Sequence, residues 1–252
     1  MGIIEKRILV ISDIHGCFKE FQELLKVANF DSSEDQLILL GDYVDRGRQS
    51  KEVVEYVKEL VDSYGVIALK GNHDQMFCEW LRNPIETLER YCRNGGLATI
   101  QSFLSVTVEE EMSEESEEEV YKRWANAILD LDKELIDFLE TLPFYYETDS
   151  YIFVHAGINP TNEDWKNTSE QEFVWIREPF LQFDHPFDQT VIHGHTPTFI
   201  LQNDPNIFYG NKKIGIDGAC VYGHQLNCLE IKDGCFNHYF VKKEGEYYDL
   251  DS

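Results

Sequence analysis

Basic residues are scarce in this chain. Only 22 lysines and arginines stand against 47 aspartates and glutamates, a formal net charge of -25. That balance excludes binding along a nucleic-acid polymer, which needs a cationic track, although one phosphate could still be held locally. Cysteine is sparse too. The six (Cys17, Cys78, Cys92, Cys220, Cys228, Cys235) contain no C-x-x-C pair and no dense framework, which excludes a zinc ribbon and fits reduced thiols in a cytoplasm. No apolar run approaches the roughly 18 residues of a membrane span. The opening MGIIEKRILVIS has too short an apolar run for a signal peptide, and myristoylation at Gly2 is discounted because Lys6 stands where Ser or Thr is wanted. A cytoplasmic protein without membrane association is expected.

What is present reads as a globular α/β chain. At 252 residues with 42% hydrophobic content, one domain over 1–252 can bury a large core. Short apolar runs mark strands: RILVIS at 7, LILL at 37, VIAL at 66, YIFVH at 151, TVIH at 190, KIGID at 213, LNCLEI at 226 and CFNHYFV at 235. The early runs alternate with amphipathic helical stretches, Phe18 to Ala28 and Lys51 to Ser63, the rhythm of a parallel sheet. The late runs follow one another as antiparallel hairpins do. Two packed sheets with helices outside are expected, with a helical insertion at about 74–142. The run VEEEMSEESEEE, residues 108–119, reads as a solvated loop or frayed helix start, with a partner-binding acidic tract as the alternative.

Five strand ends finish in polar clusters of one vocabulary. They are Asp13-Ile14-His15-Gly16; Gly41-Asp42 followed by Asp45-Arg46-Gly47; Gly71-Asn72-His73-Asp74; His155-Ala156-Gly157; and Gly194-His195-Thr196-Pro197. Ligands collect at the carboxyl ends of parallel strands, where loops from separate strands converge. Taken singly, an Asp before Gly is a turn and a His at a strand end is a hydrogen-bonded residue. Together, Asp, His and Asn from five ends make a mixed oxygen and nitrogen site suited to first-row divalent metals. On spacing alone, either His193 or His195 could reach such a metal.

In this order, SDIHG, GDYVDRG, GNHD, HAG and GHTP resemble the signature blocks of the phosphoprotein phosphatase family, within the calcineurin-like metallophosphoesterases; the smaller bacterial and phage members are the most similar. The resemblance implies a four-layer α/β/β/α sandwich of two mixed sheets flanked by helices. It also implies a dinuclear centre of two divalent ions, manganese first, with iron, zinc or nickel as alternatives. Carried over by position, Asp13 and His15 hold the first ion, Asp42 bridges, and Asn72, His155 and His195 hold the second; a hydroxide between the ions is the nucleophile. His73 is the general acid, oriented by Asp45. Arg46 grips the phosphate, and Arg177, in the looser match FVWIREPF, is the second phosphate-binding arginine.

The resemblance leaves two activities open. The first is hydrolysis of phosphoserine or phosphothreonine in a phosphoprotein, or of a phosphorylated small molecule. The second is hydrolysis of a dinucleoside polyphosphate with the same metals. GNHD also occurs in bacterial diadenosine tetraphosphate hydrolases, but those commonly have Ala-Arg-Gly where this chain has Asp45-Arg46-Gly47, which favours the phosphatase. A pocket for nucleosides would need stacking aromatics; Tyr91, Tyr121 and Trp124 are candidates that read more simply as core. Tyr222, Cys17, His185, His224 and His238 are read as structural. A non-catalytic phosphoprotein-binding module would lack a ligand or the acid, and neither is missing.

Overall fold

The computed structural model describes residues 6–106 and 116–245. Residues 108–115 of the acidic stretch lie outside them. Its described end, Ser116 to Glu119, starts a helix: Ser116 Oγ accepts from Glu119 N while the Glu119 carboxylate accepts from Ser116 N, a reciprocal cap, with glutamates facing the positive end of the helix dipole.

Three parallel strands, β1 (Arg7–Ile11), β2 (Asp35–Leu39) and β3 (Ile67–Ala68), form one side of the five-stranded first sheet. It is extended antiparallel by β9 (Gln225–Lys232) and β10 (Cys235–Lys242), in the order β10-β9-β1-β2-β3. The second sheet has the order β4-β5-β6-β8-β7, from β4 (Tyr145–Glu147), β5 (Tyr151–Val154), β6 (Thr190–His193), β7 (Phe208–Gly210) and β8 (Lys213–Gly215). All eight strands read from apolar runs are there. The missed pair, β4 and β7, are three-residue strands at the two edges of the second sheet, too short to show an apolar run. Of the hairpins expected between successive late runs, β9–β10 forms; β8 instead runs parallel to β6 and lies in a different sheet from β9, and its antiparallel partner is the unread β7.

Alternation along the strands builds the layers. Leu9, Ile11, Leu37 and Leu39 face a core shared with α1 (Phe18–Val27) and α2 (Ser50–Tyr64), while Val10 and Ile38 face Phe153, Ile192 and Ile214 across the gap between the sheets. On the outer side of the second sheet, Ile152, Val154 and Val191 pack with Trp165, Phe173 and Phe180. The result is the α/β/β/α sandwich. Helix α2 shows why such a face folds: Val53, Val54, Val57 and Leu60 are buried on one side, each worth about 1.5–3 kcal/mol. Gly65, at φ 67°, then ends it in a left-handed cap.

Between β3 and β4 the described residues hold five helices: α3 (Asn72–Arg82), α4 (Leu88–Arg93), α5 (Gly96–Leu104), α6 (Glu117–Leu131) and α7 (Lys133–Thr141). Two short helices follow, α8 (Glu170–Trp175) and α9 (Thr198–Gln202). Trp80 and Phe77 of α3 stack on Tyr91 of α4 at 5.2 and 6.1 Å between ring centroids, which fixes α4 beside the ends of β1 and β2.

Candidate metal centre

The turns leaving the strands are held in costly conformations. Asp13, His15, Asp42, Asp45, Arg46 and His195 all lie in the left-handed region, at φ between 44° and 71°. Non-glycine residues there cost roughly 1–3 kcal/mol each and persist where their surroundings over-determine them. Here the determination is backbone pairing between loops: Asp13 N donates to Gly41 O at 3.1 Å, His15 N to Asp42 O at 2.9 Å and Gly16 N to Tyr43 O at 3.0 Å. Two glycines allow the loops to touch. A Cβ on Gly41 would sit 2.4 Å from Gly71 N, and one on Gly71 would sit 2.2 Å from Asp42 Oδ1.

Asp42 lies at the centre. One of its carboxylate oxygens, Oδ2, is 3.4 Å from both His15 Nε2 and His155 Nε2. Ligand atoms of His15, Asp42 and His73 lie within 4.8 Å of one another, and so do those of Asp42, His155 and His195. One carboxylate is thus shared by two clusters. Other nitrogens turn the rings inward: His15 Nδ1 meets Val44 O at 2.7 Å and His155 Nδ1 meets Leu40 O at 3.0 Å, leaving each Nε2 to face Asp42. Asn72 Oδ1 is 2.9 Å from His155 Nε2, and the Asp13 carboxylate accepts from His195 N. His195 Nε2 is buried and, among the described residues, has no hydrogen-bond partner. A buried orphan nitrogen among carboxylates fits a cation, and the mixed donors fit a first-row divalent ion.

Burial and charge shape these groups. Burial, with Asp42 nearby, pushes the Asp13 carboxyl up to about 6. It takes His15 down to about 3, helped by the Arg46 cation. In His155 burial works against protonation, yet the Asp42 charge prevails and raises it to about 9. Asp42 is itself pushed up by burial, but its imidazole neighbours hold it well below the usual carboxylate range.

The second constellation is a dyad. His73 Nδ1 lies 2.7 Å from Asp45 Oδ2, and Asp45 Oδ1 accepts from Tyr91 Oη and Thr99 Oγ1, each at 2.8 Å. Arg46 reaches across, with Nη1 2.6 Å from His15 Nε2 and Nη2 2.7 Å from His73 Nε2. Burial and that cation hold His73 well below its ordinary pKa. Arg46 also lies 5.1 Å above the Tyr222 ring. Tyr222, expected in the core, is half-buried and packs on the core with one side while lining the cavity with the other.

The cavity has a volume of about 250 Å³. It gathers Asp13, His15, Asp42, Arg46, Asn72, His73, Arg177 and His195 on its walls. His155 is fully buried behind them. Arg177 is exposed and, among the described residues, makes no ion pair. His193 is not in the wall: its ring packs edge-on against Phe180 at 5.1 Å, and burial lowers it to about 4. The geometry therefore separates the two histidines that spacing alone could not. Tyr121 and Trp124 are buried in the helical core, away from the cavity wall.

Sequence reasoning missed three participants. Asp74 Oδ2 accepts from Asp42 N and Gly71 N, and its Oδ1 from Tyr43 N, all within 2.9 Å, so it clamps two strand-end turns together. Tyr91 was weighed as a base-stacking ring, but its hydroxyl serves Asp45. Asp217, just past β8, lines the cavity, and burial beside Asp13 raises it well above the carboxylate range. A signal was present: IDG after KIG repeats the strand-end Asp pattern.

Known proteins bear on this arrangement. A bis(5'-nucleosyl)-tetraphosphatase, symmetrical, of Aromatoleum aromaticum is 31% identical over 90% of this chain and 94% of its own length. Serine/threonine-protein phosphatase 1 of Salmonella typhimurium is 25% identical over 90% of this chain and 93% of its own. A crystal structure provisionally named a diadenosine tetraphosphatase superposes with a TM-score of 0.63 at 21% identity, covering 98% of this chain and 97% of the other. The model of the calcineurin-like phosphoesterase family matches residues 6–228, and with it this chain belongs to that family of metal-dependent hydrolases.

Proposed function

We propose that the protein hydrolyses the phosphoanhydride of a dinucleoside polyphosphate such as diadenosine tetraphosphate. The observation that carries this reading is the similarity, end to end, to a symmetrical bis(5'-nucleosyl)-tetraphosphatase. It reverses the preference drawn from the Asp45-Arg46-Gly47 block. In this reading the whole chain acts as one unit, with its helical segment supplying Tyr91 and Thr99 to the dyad.

Asp13, His15 and Asp42 would hold one divalent ion, and Asp42, Asn72, His155 and His195 the other, with manganese as the first candidate. Such ions would supply charge to the phosphoryl oxygens and lower the pKa of water held between them. The chain's own residues do the rest. Arg46 turns its two nitrogens from the imidazoles to the phosphoryl group, and Arg177 at the rim meets the neighbouring phosphate. Asp45, fixed by Tyr91 and Thr99, keeps His73 Nε2 facing the leaving oxygen; once Arg46 has moved off the ring to the phosphate, the imidazole can take up a proton at Nε2 and deliver it there.

Serine/threonine phosphatase activity is the second reading, and the Asp45–His73 dyad favours it, because a serine alkoxide needs that proton more than a leaving phosphate does. Paired initial rates on manganese-reloaded protein, diadenosine tetraphosphate against a phosphothreonine peptide, test the choice. A hundredfold preference, about 2.7 kcal/mol in transition-state binding, is expected for the dinucleotide. The reverse ratio would make the protein a phosphatase.

A further inference from the structure

The cavity has two unlike parts. Around Asp42 it is charged and buried; beside this, Trp175 at the end of α8 and Pro197, Phe199 and Ile200 at the start of α9 give it an apolar flank. Ile200 is 64% exposed, and Phe199 and Trp175 are half-buried. A lone exposed apolar residue is ordinary, but a cluster lining the mouth of a charged site marks a ligand surface. Both rings are held by neighbours. Phe199 lies on His224 with centroids 5.0 Å apart, and Trp175 packs edge-on against His195 at 5.9 Å with the Arg90 guanidinium 5.3 Å from its ring. Held rings offer a flat surface at little entropic cost, which suits a planar π system. Arg177, two residues beyond Trp175, lines the same cavity with no ion pair among the described residues.

We propose that Trp175, Phe199 and Ile200 form a nucleobase subsite, taking the base of a nucleotide whose phosphates reach Arg177 and Arg46. The proposal deepens the dinucleoside polyphosphate reading and rests on it for the identity of the substrate. Of the other aromatics, Tyr91, Tyr121 and Trp124 are each at most 5% exposed and outside the cavity wall, and Tyr222, which also lines the cavity, has its ring under the Arg46 guanidinium at 5.1 Å. A flat stacking surface tolerates any base, so the subsite would select for a nucleoside rather than for adenine in particular.

The test compares equilibrium binding of ADP and inorganic pyrophosphate to the manganese-loaded protein, since the two share their phosphates and differ in the nucleoside. The wild type should bind ADP at least tenfold more tightly, about 1.4 kcal/mol. Phe199→Ala should cut that advantage to threefold or less. Ile200→Ser, at an exposed position with little packing to lose, should cut it about threefold with an unchanged melting temperature. An absent ADP advantage in the wild type, or one that survives both substitutions, overturns the subsite. The same follows if a phosphothreonine peptide with apolar flanks is weakened more than ADP by both changes. The activity reading fails separately: if the ADP advantage is present and lost in the variants while diadenosine tetraphosphate is not hydrolysed, the subsite stands and the substrate is another nucleotide.

Discussion

The two ends of β1 handle charge in opposite ways. At its start, Arg7 donates to Asp35 Oδ1 at 2.8 Å and Oδ2 at 2.5 Å, and to Glu230 at 3.0 Å. Each charge there meets its opposite across neighbouring strands. At its other end, five carboxyls (Asp13, Asp42, Asp45, Asp74 and Asp217) are buried around Arg46, whose donors point at imidazoles, and His195 Nε2 has no hydrogen-bond partner among the described residues. Charge that serves only folding is paired within the chain. Charge left in excess, inside a chain already at -25, is arranged for cations and phosphate from outside.

Breaking the site end should have the largest effect. Replacing His73 by Asn removes the proton donor and should lower kcat on a phosphothreonine peptide by about 10²–10⁴-fold. The loss on diadenosine tetraphosphate should be smaller, because a leaving phosphate is a far weaker base than an alkoxide. Metal analysis of the same variant should find both ions retained. Loss of both would instead make His73 a ligand, in line with its place beside His15 and Asp42.

Asp74 tests whether the clamp or the ligands hold the turns. Asp74→Ala strips acceptors from three buried N–H groups and should cost about 3 kcal/mol or more in denaturant unfolding, with weakened metal retention. A variant of normal stability would mean that the Gly41 and Gly71 turns hold themselves.

Much of this was legible in the sequence, and the reasons differ by element. Central strands declared themselves because both faces are buried, giving the continuous runs RILVI and YIFV. β4 and β7 did not, because strands of three residues are too short to show an apolar run, whereas the edge strands β3 and β10 lie in longer ones. The candidate ligand residues were legible because each follows a strand and has, within three positions, a glycine that close loop packing requires. Asp74 and Tyr91 were not, because a carboxylate that accepts backbone N–H groups, or a hydroxyl that anchors another residue, has no spacing of its own. Their roles depend on which loops meet, and that is decided by pairing across more than 30 positions of chain.

Tyr91→Phe sharpens the comparison at smaller scale. It keeps the ring stack with Phe77 and Trp80 and removes one donor from Asp45, worth about 1 kcal/mol. Turnover should fall about fivefold, with KM nearly unchanged because the dyad acts on the reacting bond. A raised KM with normal kcat would place Tyr91 in binding.

The smallest effect belongs to the other end of the strand, and pH gives its sign. Burial pushes the Asp35 carboxyl up, but the hydrogen bonds from Arg7 and from Asp31 N bring it below its ordinary value. A carboxyl with a depressed folded-state pKa adds stability above its unfolded value, about 3.9, and that contribution is lost as pH falls through the folded value. Arg7→Met removes the partner at a partly exposed site, so the neutral-pH cost should be about 1 kcal/mol at most, read as a lower melting temperature. The gap between variant and wild type should close as the pH drops below the carboxylate range, while activity per folded molecule at neutral pH stays the same. A gap that persists in acid would assign the role of Arg7 to packing of its stem and not to charge, and the contrast between the two ends of β1 would then be one of shape.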